Sequence, residues 1–270
     1  MKSRLLVAAV GIPLLLVILF LCPPVVTAAA LGALSAIAVS ELLKTTGILT
    51  DMAMVVCSMI AAVLVAVWSF VGCPVVPFVV GAVLFGLVVF CLALKAYPAV
   101  KLEGVLAALF AGVVIPLCLS SILRILMGDY GRHLVLVPIL IPFIADAGAY
   151  FAGMLFGKHK MAPVLSPKKT VEGAIGGFVV GILSMVVYGL VMEAAFGLSY
   201  NYLYGCIYGL IGSAVSIVGD LSFSMIKRER GIKDYGTIFR AHGGVLDRFD
   251  SVIFAAPVVE LLLMLIPVLS

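Results

Sequence analysis

Long uncharged runs dominate this chain. No Asp, Glu, Lys or Arg stands between Arg4 and Glu41, from Met52 to Leu94, Gly104 to Leu123, Leu134 to Ala145, Gly173 to Met192, or Ala194 to Gly219. Crossing hydrocarbon takes about 20 apolar residues of helix, so the longer runs hold two spans each. They are cut at Cys22-Pro23-Pro24 and Gly72-Cys73-Pro74, because proline lacks the amide that a helix interior needs. The pattern predicts nine transmembrane helices, at about 5–22, 24–43, 52–71, 74–94, 103–124, 134–156, 173–193, 201–226 and 249–268.

Basic residues are retained on the cytoplasmic side in short loops. With nine spans and a cytoplasmic N-terminus, 15 of the 17 Lys and Arg residues fall inside, and only Arg124 and Arg132 outside. The first span carries Lys2 and Arg4 ahead of it like a signal peptide. Its apolar core runs straight into a second span, so it is read as an anchor.

Composition agrees with this pattern. Hydrophobic residues make up 64% and charged residues 11%, against about 25% charged in soluble domains; mean hydropathy is +1.32. The fold class expected is all-α, a polytopic integral membrane protein forming one membrane domain over 1–270. Residues 1–133 are read as structural or dimerising helices, and 134–270 as the catalytic part. A net charge of +4 is assigned to loops facing anionic headgroups or substrates, not to nucleic acid. The six cysteines are scattered without metal-ligand spacing, and read as small buried hydrophobes.

Polar residues enter the spans after about Ile139. Asp146 sits well inside the sixth, where an ionised carboxylate must be paired, hydrated or metal-bound. It is either neutralised by a basic neighbour for packing or part of a site. The loop Gly157–Gly177 carries four lysines with Ser166 and Thr170 ahead of a glycine-rich helix start, a setting that suits a phosphate. Its lysines alone would equally serve topology; the ordered Ser166-Pro167-Lys168-Lys169-Thr170 followed by Glu172 and Gly173 favours the site.

Densest in charge is Lys227–Asp250, whose 24 residues hold ten of the 30 charged side chains. Asp220 lies just upstream, with Ser224 one turn on. Asp247 and Asp250 are three apart and share a helical face. Carboxylates gathered in this way call for a hard divalent cation, Mg²⁺ or Mn²⁺. Lys227, Arg228, Lys233 and Arg248 supply phosphate partners beside it, a combination suited to phosphoryl or nucleotidyl transfer. His242 is either a proton-transfer group or the polar end of a tight turn. Gly205, Gly209 and Gly212 read as a close helix-packing face.

The run Ser224-x-x-Lys227-Arg228, Lys233-Asp234, His242-Gly243-Gly244 and Asp247-Arg248-x-Asp250 resembles the signature of the phosphatidate cytidylyltransferases (CDP-diacylglycerol synthases). The segments "DAGAYFAG", "FGKHKMAP" and "SPKKTVEGAIGG" resemble that family's upstream motifs in the same order. Two positions depart from its pattern: Arg240-Ala241 where relatives usually have Pro-Gly, and Phe223 where they commonly carry an acidic residue.

The resemblance implies an enzyme of phospholipid biosynthesis that makes CDP-diacylglycerol and pyrophosphate from CTP and phosphatidate with Mg²⁺, alongside a monovalent cation such as K⁺. On that footing Asp220, Asp247, Asp250 and Asp146 are the metal-centre acids. Asp220, Asp247, Asp250, Lys227, Arg228 and His242 are the catalytic set; Ser166, Lys168, Lys169, Thr170, Ser224, Lys233 and Arg248 bind substrate. The expected setting is the inner (cytoplasmic) cell membrane, multi-pass, as a homodimer among membrane lipids, with the site facing the cytoplasm. The alternatives are a CTP-dependent lipid kinase of the polyprenol type and, more distantly, an ion-coupled secondary transporter.

Overall fold

Proline and glycine set where the helices begin and end. The computed structural model describes residues 2–236 and 243–269, with side chains from residue 11 onward, and within these the chain is mostly helical. It divides into two compact units, Met1–Met127 with Glu229–Phe249, and Gly128–Arg228 with Asp250–Ser270.

The first unit contains α1 (Lys2–Phe20), α2 (Pro24–Thr45), α3 (Met52–Phe70), α4 (Val75–Lys95) and α5 (Leu102–Met127). Pro24 occupies the first turn of α2, where no intrahelical amide is required. Asp51 caps α3 by accepting from the Met54 N–H at 2.8 Å. The turn into α4 uses Gly72 and Cys73, both at positive φ, followed by Pro74. Two helices depart from α geometry: α2 ends in a π turn, Glu41–Thr45, and α5 contains another, Phe110–Val114, just ahead of Pro116. The core forms where α2, α3 and α5 meet, around Ala38, Val39, Met54, Ala62, Ile115 and Leu123, all buried. In contrast, α4 buries only Phe85, Val89 and Ala93. Arg124 is held inside this unit, donating to Ser69 Oγ (3.0 Å), Ser121 Oγ (2.8 Å) and the Leu117 carbonyl (3.1 Å). Arg230 pairs with Glu103, which joins the first turn of α5 to the segment before the last helix.

The second unit contains α6 (Gly131–Phe156), α7 (Val171–Phe196), α8 (Tyr202–Glu229) and most of α9 (Leu246–Leu265), whose first turn belongs to the first unit. Between α6 and α7 the lysine loop folds into a hairpin of two short antiparallel strands, β1 (Lys160–Ala162) and β2 (Ser166–Thr170), which the periodicity of the sequence does not announce. Close approach explains the glycines: a Cβ on Gly173 would lie 2.8 Å from the Ala149 carbonyl oxygen, and one on Gly209 2.6 Å from that of Gly181. Of the packing face expected along Gly205, Gly209 and Gly212, Gly209 meets α7 at Gly181 and Ile182 and Gly212 meets Ile141 of α6, whereas Gly205 lies against the Tyr200 ring. At the end remote from the hairpin, Tyr200 bridges Leu269, and the Asn201 N–H donates to Val268 at 2.9 Å.

Seven helices among the described residues, α2 to α8, are long and apolar enough to cross a membrane. The cysteines are a correction: all six are free, Cys91 is exposed and none is fully buried. On helices so open to their surroundings, a thiol is as acceptable to lipid as to a core.

Candidate active site

Hairpin and helices converge on one cavity in the second unit. It measures about 370 Å³, and its polar lining comprises Asp146 of α6, Ser166, Lys168, Lys169 and Thr170 of β2, and Asp220 of α8. Met154, Met161 and Ile217 add apolar wall.

Local rules place each group. Thr170 ends β2 and caps α7, its hydroxyl accepting from the Gly173 N–H at 3.1 Å; the helix start that could receive a phosphate is thus already capped by a side chain at one amide. Glu172, in the first turn of α7, ties the hairpin's entry by accepting from the Lys158 and His159 N–H groups (3.1 and 3.2 Å) and meeting His159 Nδ1 at 2.6 Å. With the hairpin held at this end, Lys169 turns inward and forms an ion pair with Asp220. Asp146 feels both Lys169 and Asp220. Lys169, from outside the spans, is thus paired with Asp220 and within electrostatic range of the sixth-span carboxylate.

Asp250, only 9% exposed, is within electrostatic range of Asp220, Lys227 and Asp146. Ser224 donates to Asp220 Oδ1 at 3.3 Å, which orients that carboxylate. Lys227 and Arg228 occupy the last turn of α8, where cations complement the negative helix end. Arg228 Nε donates to the Leu165 carbonyl at 3.2 Å, fastening the hairpin on its second side.

The remaining predicted residues belong to the other unit. Lys233 and Arg248 are exposed, and His242, with the departure at Arg240-Ala241, lies outside the described residues. Asp247 is buried, and its Oδ2 accepts from the N–H groups of Tyr235 (2.7 Å) and Gly244 (2.9 Å); this oxygen holds a turn together. Phe223 is also buried, with its ring edge-on to Phe254 at 6.2 Å, so the apolar departure from the family pattern is a packing residue here. Sequence reasoning missed Glu41, a buried carboxylate in the π turn of α2 whose only sequence signal is its position at the end of a charge-free run.

Whether these residues suit a divalent cation can be judged from their donors. Asp146, Asp220 and Asp250 offer only hard carboxylate oxygens, the type Mg²⁺ selects. Among the described residues, no three His, Cys, Asp or Glu side chains form a ready-made cage, and Asp220 is engaged by Lys169. Such a set fits Mg²⁺ bound through one or two carboxylates and completed by phosphate oxygens, its usual manner of binding.

A helical membrane protein with a cavity lined by both carboxylates and lysines is the class that fold and site define. A model of the cytidylyltransferase family matches residues 2–266. The chain is 38% identical over 154 residues to the phosphatidate cytidylyltransferase of Staphylococcus saprophyticus, covering 54% of this chain and 58% of that relative. It is 40% identical to the protein of that name from Staphylococcus haemolyticus and 42% to that from Staphylococcus epidermidis, each over 133 residues, or 49% of this chain and 50% of the relative. In these alignments the chain spans about half the length of the curated relatives it matches. It belongs to the cytidylyltransferase family.

Proposed function

We propose that the chain transfers CMP from CTP to phosphatidate, giving CDP-diacylglycerol and pyrophosphate, at the cytoplasmic face of the inner membrane. The observation that carries this reading is the meeting of Lys169, from an extramembrane hairpin, with Asp220 and Asp146 of spanning helices on one cavity. A water-soluble polyphosphate and a lipid phosphate can both reach such a place. The names of the relatives supply the substrates.

A phosphate oxygen of phosphatidate forms the new bond to the α-phosphorus of CTP. The bond from that phosphorus to the oxygen bridging toward the β-phosphate breaks, and pyrophosphate leaves with the electron pair. No side-chain nucleophile is required, because the lipid phosphate is one. Lys168 and Lys169 draw the polyphosphate into the cavity, and Lys227 and Arg228 add positive charge at the end of α8. Asp220 and Asp250, with Asp146 behind them, would hold Mg²⁺, which neutralises charge on the departing pyrophosphate. Lys169 then leaves Asp220 for phosphate when substrate arrives. Lys233, Arg248, Asp247 and His242 are assigned to nucleotide and metal through the resemblance of their motif. Nine spans with the N-terminus inside are retained, since this arrangement puts the hairpin lysines on the side where CTP is made available.

The test uses purified protein in mixed micelles with phosphatidate, MgCl₂ and CTP labelled at either the α- or the γ-phosphate. Label from the α-position in extracted lipid, with γ-label in pyrophosphate, is the expected result. Label from the γ-position in lipid would make the protein a CTP-dependent lipid kinase and overturn the reading.

A further inference from the structure

Glu41 stands where α2 passes from α to π geometry and is 5% exposed. A carboxylate so far from water is costly unless its oxygens accept hydrogen bonds. Both do: Oε1 accepts from the Val245 N–H at 3.0 Å and Oε2 from the Leu246 N–H at 2.8 Å. These amides open α9, where the first N–H groups have no intrahelical partner and the helix dipole favours an anion. Asp247 works on the same turn from the opposite direction, through Tyr235 and Gly244. Four backbone amides therefore end on two carboxylates. Gly236 and Gly244 form the seat of the Glu41 carboxyl group, and a Cβ on either would run into it. π turns recur at functional positions in helices. This one directs an acid from the second helix of the chain to the start of the last.

We propose that Glu41 is a positioning residue for the transfer reaction. It fixes the first residue and the rotation of α9, and so the direction in which Asp247 and Arg248 of its first turn project. A slip of one residue would rotate that turn by about 100° and carry both side chains off their bearing. The role rests on the cytidylyl-transfer reading for its purpose, though not for its geometry.

Glu41→Gln keeps the size of the side chain and replaces one accepting oxygen with a donor. Hydrogen exchange of the full-length protein should show the Val245 and Leu246 amides exchanging about tenfold faster, with α3 unchanged. In the CTP assay kcat should fall about tenfold or more, as expected for small misplacements of reacting groups, while KM for CTP and for phosphatidate moves less than about twofold. Ser58→Ala, a buried packing change in the same unit, serves as the stability control and should leave kcat alone. If Glu41→Gln does not accumulate, Gly236→Ala disturbs the same carboxyl group from its other side and should give the same pattern. Unchanged exchange at 245–246 overturns the clamp. Faster exchange with unchanged kcat overturns the positioning role, as does a kcat loss that Ser58→Ala reproduces at equal loss of melting temperature. A wild-type protein without transfer activity would instead defeat the proposed reaction, and the exchange result would still decide the clamp.

Discussion

Replacing Lys169 with Met removes the ammonium that faces Asp220 and leaves the length of the stem. The two side chains are 23% and 25% exposed, so the pair lies between an exposed one, worth about 0–1 kcal/mol, and a buried one whose breaking costs about 3–5 kcal/mol. The expected loss is about 2 kcal/mol, or roughly 30-fold in the ratio of folded to unfolded protein. Asp146, which interacts with the same ammonium, keeps the value from being smaller. SDS titration in bicelles, followed by helical circular dichroism, would measure it for wild type, Lys169→Met, Asp220→Asn and the double variant. The coupling energy in that cycle should be about 1–2 kcal/mol, as for residues in direct contact. Because Lys169 and Mg²⁺ compete for the same carboxylate in the proposed reaction, Lys169→Met should gain more stability from added MgCl₂ than wild type does. A coupling below about 0.5 kcal/mol, the range of exposed pairs, refutes the ion pair as a structural element. An identical MgCl₂ response in the two proteins refutes the competition.

Other substitutions probe the packing and the turn. Phe223→Glu, which restores the acidic character common among relatives, would put an unpaired carboxylate against Phe254 and should cost about 3 kcal/mol or more, read as a lower melting temperature by helical circular dichroism. Gly209→Val drives a side chain toward the Gly181 carbonyl oxygen and should destabilise by about 1–3 kcal/mol or more, seen in the same melting assay. Asp247→Asn retains an accepting oxygen for Tyr235 and Gly244, so its melting temperature should stay close to wild type while turnover falls about 100-fold or more; near-normal turnover would remove Asp247 from the reaction.

The helices were legible because charge is so scarce. Each uncharged run in the sequence became a helix or a pair, and Pro24, Pro74 and the Gly72-Cys73 turn fell where proline and positive φ belong. Asp146, Ser166, Lys168, Lys169, Thr170 and Asp220, singled out in the sequence, line one cavity, but their pairing was not legible. Lys169 and Asp220 were assigned to phosphate and metal, and no local spacing announces that an ammonium and a carboxylate 51 positions apart will face each other. The hairpin escaped because its strands are three and five residues long, too short for an alternation to be read. Glu41 escaped because its partners lie 204 and 205 residues away and are backbone amides, which carry no residue identity to recognise.

The π turn that ends α2 has a genetic corollary. A π turn is an α-helix holding one residue more than its regular path needs. Loss of a single codon in residues 42–45 would let the helix relax to regular geometry, gaining local hydrogen-bond order while removing the widened turn in which Glu41 stands. A deletion that improves the helix would thus break the contact the helix exists to deliver. This stretch should tolerate many exchanges of one apolar residue for another, yet hardly any change in its length.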